Sequence, residues 1–206
     1  MLGLSPSTFH MNEGHAAFLG LELAREKIAA GKTLEQAKEE TKQECIFTTH
    51  TPVEAGHDRF SSDLMAFVGH KFAKQLNIDH EALMDLGRVN PGDQSETFCM
   101  TVLALGFSRS ANGVSELHGA ISREMWQCLY PGKSLDEVPI GHVTNGIHLL
   151  GWMKGPLRSF WKERLGDDWA KDVNEASFWE RMLDSDFISD EEIWALRYRL
   201  RRELLE

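Results

Sequence analysis

Four polar clusters in the sequence carry side chains that could do chemistry. The first is His10-Met11-Asn12-Glu13-Gly14-His15, in which two imidazoles flank a carboxylate. A zinc site on one helix needs two histidines four residues apart, whereas His10 and His15 are five apart with a glycine between them. A helix start is the competing interpretation, with Asn12 as the N-cap and Glu13 in the first turn.

The second cluster, Phe47 to Phe60, contains the polar run Thr48-Thr49-His50-Thr51 and continues through Pro52 and Gly56. It directly follows the short apolar, β-branched segment Cys45–Thr49, which predicts a buried strand. Burying such polar groups is unfavourable unless they are hydrogen-bonded or line a site. A functional loop is therefore one interpretation, and a solvated surface loop is the other.

The third and fourth clusters each contain an Asn-Gly step. Ser108 to Gly119 predicts a tight strand-to-helix turn, leading into a helix over Val114–Leu129 whose apolar residues, Leu117 among them, should face the core. His142 to His148 follows the strand candidate Val138–Thr144. Its Asn and His side chains offer donors and acceptors suited to sugar hydroxyls, although a β-turn explains the segment equally simply.

Helices and strands alternate along the first three quarters of the chain. Helical spacing of apolar residues predicts a helix from Gly14 to about Ala30, ended by Gly31. Further helices are predicted over Thr33–Lys42, Ser61–Lys74, Asp79–Leu86 and Glu96–Gly106. This alternation predicts an α/β layered domain with a parallel sheet. Ligands bind beyond the carboxyl ends of such strands, which singles out Thr49–Pro52 and Thr144–Gly146.

The composition changes near residue 149. We expect an α/β domain over 1–148 and a helical segment over 149–206 that is a linker or the opening of a second domain. Both ends of the sequence interrupt a pattern, so an internal part of a longer protein is expected. Aromatic side chains that would pack on missing elements should then be partly exposed, namely Trp161, Trp169, Phe178, Trp179 and Trp194.

The overall composition excludes several classes of protein. Of 206 residues, 42% are hydrophobic, which is enough for a sizeable core. The formal net charge of −10 argues against a nucleic-acid partner. No apolar run reaches membrane-spanning length. The three cysteines are widely separated and form no Cys-x-x-Cys pair, which is typical of reduced thiols in a cytoplasmic protein.

The order and content of the four clusters resemble the α-glucan (glycogen, starch or maltodextrin) phosphorylases, in particular their shorter bacterial and archaeal branch. That family has an Asn-acidic-x-His helix opening, a Thr-x-His-Thr strand end, an Asn-Gly-Val-x-x-x-His helix start and a Thr-Asn-Gly-Ile segment followed by Trp. The matching segments here are Asn12–His15, Thr48–Thr51, Asn112–His118 and Thr144–Ile147 with Trp152. The longer enzymes of the family carry Asp where Glu13 stands.

The resemblance implies a two-domain glycosyltransferase of the GT-B type with Rossmann-like halves. Residues 1–148 would be the C-terminal part of the glucan-binding domain, and 149–206 would open the cofactor domain. The family cleaves terminal α-1,4-linked glucosyl units with inorganic phosphate to give glucose 1-phosphate. It uses pyridoxal 5'-phosphate on a lysine of the second domain; Lys154, Lys162 and Lys171 match nothing in that lysine's motif, so the binding lysine is expected to be absent from this chain. A homo-oligomer is expected at full length.

The resemblance also assigns roles to single residues. His50 would act in catalysis, with its side chain on the 6-hydroxyl of the reacting glucose and its carbonyl facing the developing positive charge. Asn145 would bind sugar hydroxyls from the opposite wall. Glu13, His15 and Thr51 would bind substrate beside them, and no metal is implied.

Two other functions remain open from the residues alone. One is a non-catalytic carbohydrate-binding remnant of such an enzyme, which would share the polar loops. The other is a metal-dependent hydrolase, for which the candidate ligands are His10, Glu13, His15, His50 and His57.

Overall fold

The computed structural model describes residues 5–184 and 186–206. The chain forms two compact units, of which the first ends at Asn145 and the second runs from Gly146 to Glu206. None of the described helices is both long and apolar enough to cross a bilayer.

A four-stranded parallel sheet organises the first unit. Its strands, in spatial order, are β1 (Phe9–Asn12), β2 (Cys45–Thr48), β3 (Ser110–Gly113) and β4 (Ile140–His142). The register places Asn12 beside Thr48 and Thr48 beside Asn112. All four strands point the same way, so their carboxyl ends meet at one edge. This confirms the predicted α/β architecture with a parallel sheet.

Helices connect the strands and complete the core. In the first unit they are α1 (Phe18–Ala29), α2 (Leu34–Glu44), α3 (Ser62–Leu76), α4 (His80–Asp85), α5 (Met100–Gly106) and α6 (Glu116–Trp126). Thr33 begins α2 with a capping box to Gln36. Gly31 ends the first helical region with φ at +96°, as the sequence predicted. Met11 and Phe47, on one face of the sheet, are fully buried in the core.

Two predicted helix starts are wrong. Asn12 caps no helix, because Phe9–Asn12 pairs with β2 as a strand, and α1 begins only at Phe18. The predicted helix over Glu96–Gly106 begins at Met100, because Phe98–Cys99 pairs antiparallel with Arg59–Phe60. Both strands are too short for the alternation of apolar and polar residues to be recognised in the sequence.

The core-facing side of α6 differs from the prediction in part, because Met125 packs against the core as predicted but Leu117 does not. Leu117 is 71% exposed, whereas His118, Ser122 and Trp126 are buried. The reason is Gly119, where an added Cβ would lie 2.9 Å from the carbonyl oxygen of Gly141 in β4. A helix can approach a strand this closely only through a glycine, so that side of α6 turns inward.

Helices are the regular secondary structure of the second unit within its described residues, and loops join them. It contains α7 (Leu149–Trp152), α8 (Gly155–Leu165), α9 (Ala176–Glu180) and α10 (Asp190–Leu205). The predicted exposure of its aromatics is wrong for Trp169 and Phe178, which are buried and stack with ring centroids 6.4 Å apart. Trp179 and Trp194 are 42% and 64% exposed, as expected.

Candidate functional site

The segments that follow the four strands meet at the carboxyl edge of the sheet. Backbone hydrogen bonds extend the strand pairing into these segments. The amide of Glu13 donates to the carbonyl of Thr48 at 2.8 Å, and the amide of Asn145 donates to the carbonyl of Val114 at 3.1 Å. The loop after β1 is therefore held beside β2, and the loop after β4 beside the segment that follows β3, all at the edge where ligands bind in sheets of this type.

The carboxylate of Glu13 joins the loop after β1 to the loop after β2. Its Oε2 accepts the amide of His50 at 2.6 Å and the hydroxyl of Thr51 at 3.1 Å. Its Oε1 accepts the amide of Gly14 at 3.0 Å and the hydroxyl of Thr49 at 3.4 Å. Hydrogen bonds to a charged acceptor are stronger than neutral ones, so this carboxylate fixes the backbone beside His50.

The backbone of Glu13 is strained. Its φ of 74° and ψ of 165° lie in a region that is essentially restricted to glycine. A side chain there costs on the order of 1–3 kcal/mol and persists only where other contacts hold it. The hydrogen bonds of the carboxylate provide that hold, and strain of this kind is concentrated at functional sites.

His50 lies at the surface, and a hydrogen bond to one of its ring nitrogens fixes the orientation of the ring. Its Nε2 is 2.6 Å from Oδ1 of Asn12, which must accept from an N–H on that nitrogen. The Nδ1 atom and the exposed ring faces are left to solvent or a ligand. Asn12 was predicted only as a helix cap, and its role as a partner of His50 depends on β1 and β2 being neighbours.

A second hydrogen-bond chain crosses three strands beneath these loops. The hydroxyl of Thr48 donates to Oδ1 of Asn112 at 3.0 Å and lies 2.8 Å from Nε2 of His10. Because that hydroxyl has only one proton, His10 is the donor to it. The side-chain amide of Asn112 in turn donates to the carbonyl of Gly113 at 3.0 Å. These partners are up to 64 residues apart in sequence, so no local pattern could have identified them.

The other two predicted site residues, His15 and Asn145, lie at the surface. His15 lies in the short 3-10 turn Gly14–Ala16 and is exposed. Asn145 is also exposed and follows β4, two strands away from β2. At the usual strand spacing, two intervals correspond to about 10 Å between the ends of β2 and β4. Glu13, His50 and Thr51 are thus in direct contact, whereas Asn145 lies across the edge from them.

The candidate metal ligands do not converge. His10 pairs with Thr48, the carboxylate of Glu13 is occupied by backbone and hydroxyl donors, and His57 pairs with Thr101. Within residues 5–184 and 186–206, no three His, Cys, Asp or Glu side chains are grouped as a metal site requires.

A cavity of about 750 Å³ opens at the opposite, amino edge of the sheet. Its lining includes Lys38, Lys42 and Arg109, together with Tyr130 and Pro139 just before β4. It contains none of the predicted site residues. We place the candidate site at the carboxyl edge because the polar loops and the strained Glu13 lie there.

Gly56 keeps Thr51 in place, and we expect its replacement by alanine to loosen the site. A Cβ on Gly56 would lie 2.3 Å from Cγ2 of Thr51, and turning Thr51 away would break its bond to Glu13. We expect Gly56→Ala to lower the free energy of unfolding by roughly 1–3 kcal/mol, the usual penalty for overpacking, measured by urea denaturation.

Two variants test this explanation. Thr51→Ser removes Cγ2 and keeps the hydroxyl, so Gly56→Ala should be tolerated in that background. Gly106→Ala, where an added Cβ meets nothing within 4 Å, is the control. A Gly56→Ala penalty that is the same in the Thr51→Ser background as in the parent chain contradicts the proposed contact.

His57 is a buried histidine near the end of the loop that follows β2. Burial is the largest cause that lowers its pKa, and Arg59 acts in the same direction. Glu13, the backbone of Thr51 and Glu54 oppose this shift. The net result is a pKa below the ordinary histidine value, so His57 is neutral at neutral pH.

This lowered pKa predicts an acid-sensitive fold. The unfolded state binds a proton at about pH 6.5, and the folded state binds it only at lower pH. The contribution of His57 to the free energy of unfolding is therefore fully present above about pH 6.5, and it is lost as the pH falls through the folded-state pKa of His57. In urea titrations between pH 8 and 5, His57→Asn should lose less stability than the parent chain. Parallel losses in the two proteins would contradict the shift, because the other histidines are common to both.

Comparison with known proteins gives the family of this chain. The family model for carbohydrate phosphorylases matches residues 5–205. A maltodextrin phosphorylase of Thermococcus litoralis is 35% identical over 100% of this chain and 24% of its own length. A glycogen phosphorylase of Mycobacterium tuberculosis is 36% identical over 98% of this chain and 23% of its own length. A glycogen phosphorylase of Aquifex aeolicus is 33% identical over 100% of this chain and 29% of its own length.

The chain therefore spans about a quarter of the length of these relatives. The match of the family model covers nearly the whole chain and includes both the strained Glu13 and the loops at the carboxyl edge. On these grounds, the chain belongs to the carbohydrate phosphorylase family.

Proposed function

We propose that the protein containing this chain cleaves terminal α-1,4-linked glucosyl units from a glucan with inorganic phosphate and releases glucose 1-phosphate. The observation that carries the proposal is the arrangement at the carboxyl edge, where His50, Asn12 and Asn145 present hydrogen-bond donors and acceptors in a chain of the phosphorylase family. Groups of this kind recognise sugar hydroxyls. The names of the relatives, maltodextrin and glycogen phosphorylase, agree with a glucan substrate.

His50 is the residue we assign to the reacting glucose. Its amide is bound by Glu13 and its ring by Asn12, so both the side chain and the peptide that precedes it are held before substrate arrives. We propose that the ring binds the 6-hydroxyl and that the carbonyl of His50 faces the positive charge that develops on the sugar ring. Groups held in advance stabilise such charge without reorganisation.

Asn145 is the residue we assign to the other side of the sugar. Its backbone amide is fixed to Val114, and its side chain is exposed at the end of β4. The spacing of about 10 Å between the ends of β2 and β4 leaves room for one sugar ring between them. We propose that Glu13, His15 and Thr51 complete the substrate-binding wall, with Glu13 acting mainly by fixing the loop.

We propose that pyridoxal phosphate is not bound at the candidate site of this chain. Lys162 and Lys171 are paired with Asp167 and Asp168 at the surface of the second unit. At the candidate site, the Glu13 carboxylate that accepts the amide of His50 would repel a cofactor phosphate. We therefore assign no step to that group here, and propose that the longer protein binds it elsewhere.

The larger context follows from the same proposal. We propose that residues 1–148 belong to the glucan-binding half of a GT-B-type enzyme and that 149–206 lead into the cofactor domain. The substrates are an α-1,4-glucan and inorganic phosphate in the cytoplasm, and the full-length enzyme assembles as a homo-oligomer.

The test is phosphate-dependent release of glucose 1-phosphate from maltodextrin by the protein extended to the length of its relatives. We expect glucose 1-phosphate with phosphate present and no reaction without it. Free glucose as the sole product would exclude the proposal, and glucan binding without turnover would support a binding remnant instead. The 206-residue chain alone should show neither activity nor pyridoxal absorbance. A reducible aldimine on one of its own lysines would contradict the cofactor assignment.

A further inference from the structure

The loop that carries His50 runs from residue 49 to residue 58, and hydrogen bonds fix it at both ends. Glu13 holds its beginning at His50 and Thr51. At its end, the carbonyl of Asp58 accepts the amide of Met100 at 3.0 Å. Beside that bond, Nδ1 of His57 lies 2.9 Å from Oγ1 of Thr101.

His57 is an unusual residue for the place it occupies. The side chain is 5% exposed and its ring meets Trp126 edge-on, with centroids 5.0 Å apart. Its Nε2 is buried and has no hydrogen-bond partner among the described residues. An apolar ring would fill the same space without leaving a polar atom unpaired. The hydrogen bond that histidine makes here, and that an apolar ring would lack, is the one between Nδ1 and Oγ1 of Thr101.

Thr101 contacts both the turn that carries Glu13 and the end of the loop that carries His50. A Cβ added to Gly14 would lie 3.3 Å from Oγ1 of Thr101, so that hydroxyl is packed against the residue next to Glu13. The same hydroxyl is bonded to His57. One buried hydroxyl thus links the turn that carries Glu13 to the far end of the loop that carries His50.

The two ends of this loop also pack against each other. Gly56, next to His57, lies against the methyl group of Thr51, whose hydroxyl is bonded to Glu13. Moving His57 away from Thr101 would move Gly56 and remove the support of Thr51. The consequences of breaking the buried bond should therefore reach His50 by two routes, through Gly14 to Glu13 and through Gly56 to Thr51.

We propose that His57 and Thr101 are positioning residues that hold His50 in its binding orientation, through Glu13 and Thr51, without touching substrate. For the reaction itself the inference rests on the proposed function. For the geometry of the loop it does not, and the two can be tested separately.

The geometric test is amide hydrogen exchange in the 206-residue chain. His57→Phe keeps an aromatic ring beside Trp126 but removes the bond to Thr101, and Thr101→Val removes the hydroxyl at nearly constant volume. We expect the amide of His50 to exchange about tenfold faster in both, with protection unchanged at Phe47 in the centre of β2. His57→Asn, whose amide occupies the place of Nδ1, should restore much of the protection.

Matched variants control for burial alone. Thr41 is fully buried and its hydroxyl has no partner among the described residues, so Thr41→Val changes a buried threonine without touching the loop. It should leave exchange at His50 unaltered. Thr101→Ser should behave like the parent. Unchanged exchange at His50 in His57→Phe and Thr101→Val would overturn the proposal, and so would equal loss of protection at Phe47, which would assign the pair to the core.

The functional test uses the extended enzyme. With the bond between His57 and Thr101 broken, kcat for phosphorolysis should fall about tenfold with a smaller change in KM, because His50 is expected to act mainly as charge develops. Recovery of kcat in His57→Asn would separate positioning from a loss of folded protein. If the exchange results hold but kcat does not change, the bond positions the loop and the role given to His50 is wrong.

Discussion

Replacing Glu13 with alanine should destabilise the first unit more than replacing it with glycine. Both changes remove the carboxylate, and with it the charged acceptor for the amides of His50 and Gly14. Losing two or more such bonds, each worth about 1.5–3 kcal/mol, should lower the free energy of unfolding by roughly 2–4 kcal/mol in a partly exposed site. Alanine also keeps a Cβ at a φ of 74°, which glycine does not.

The comparison of the two variants identifies the strain. At an ordinary position, a protein with glycine is less stable than one with alanine by about 0.5–1 kcal/mol, because glycine gives the unfolded chain more conformational entropy. Here the order should be reversed, with Glu13→Gly more stable than Glu13→Ala by about 1–2 kcal/mol, since the strained conformation suits only glycine. Urea denaturation of the three chains measures the difference. The ordinary order would show that the backbone at Glu13 is relaxed.

In the extended enzyme, His50→Ala and Asn145→Ala should each lower kcat/KM for phosphorolysis by about 10- to 100-fold. The physical reason is the loss of hydrogen bonds to sugar hydroxyls in a closed site, at about 1–3 kcal/mol each. If these bonds strengthen as charge develops, kcat should fall as well as the apparent affinity. His50→Ala should retain some activity, because the backbone carbonyl of residue 50 remains.

His70→Ala is the matched control for this pair. His70 is exposed on α3, and its Nδ1 is bonded only to the carbonyl of Phe67 in the same helix. That variant should keep full activity. Equal losses at all three positions would point to instability rather than chemistry, and full activity in Asn145→Ala would remove that residue from the site.

The sequence alone was sufficient for the elements whose signals are local. The strand at Cys45–Thr48 is mostly apolar and partly β-branched, and Thr33 begins α2 with a capping box that lies within four residues. Gly31 at positive φ is likewise a local stop signal. Because ligands bind at the carboxyl ends of parallel strands, these elements also placed the loops at Thr49 and Asn145 at one edge.

The tertiary structure decided what depends on neighbours distant in sequence. Four residues at Phe9–Asn12 carry too little alternation to show a strand, and they become one because β2 is there to pair with them. Asn12 then turns from a predicted cap into the partner of His50, 38 residues away. Leu117 is exposed because Gly119 lets the opposite side of α6 approach β4. The strain at Glu13 and the buried bond from His57 to Thr101 arise in the same way: each exists only because packing brings together groups that no local pattern relates.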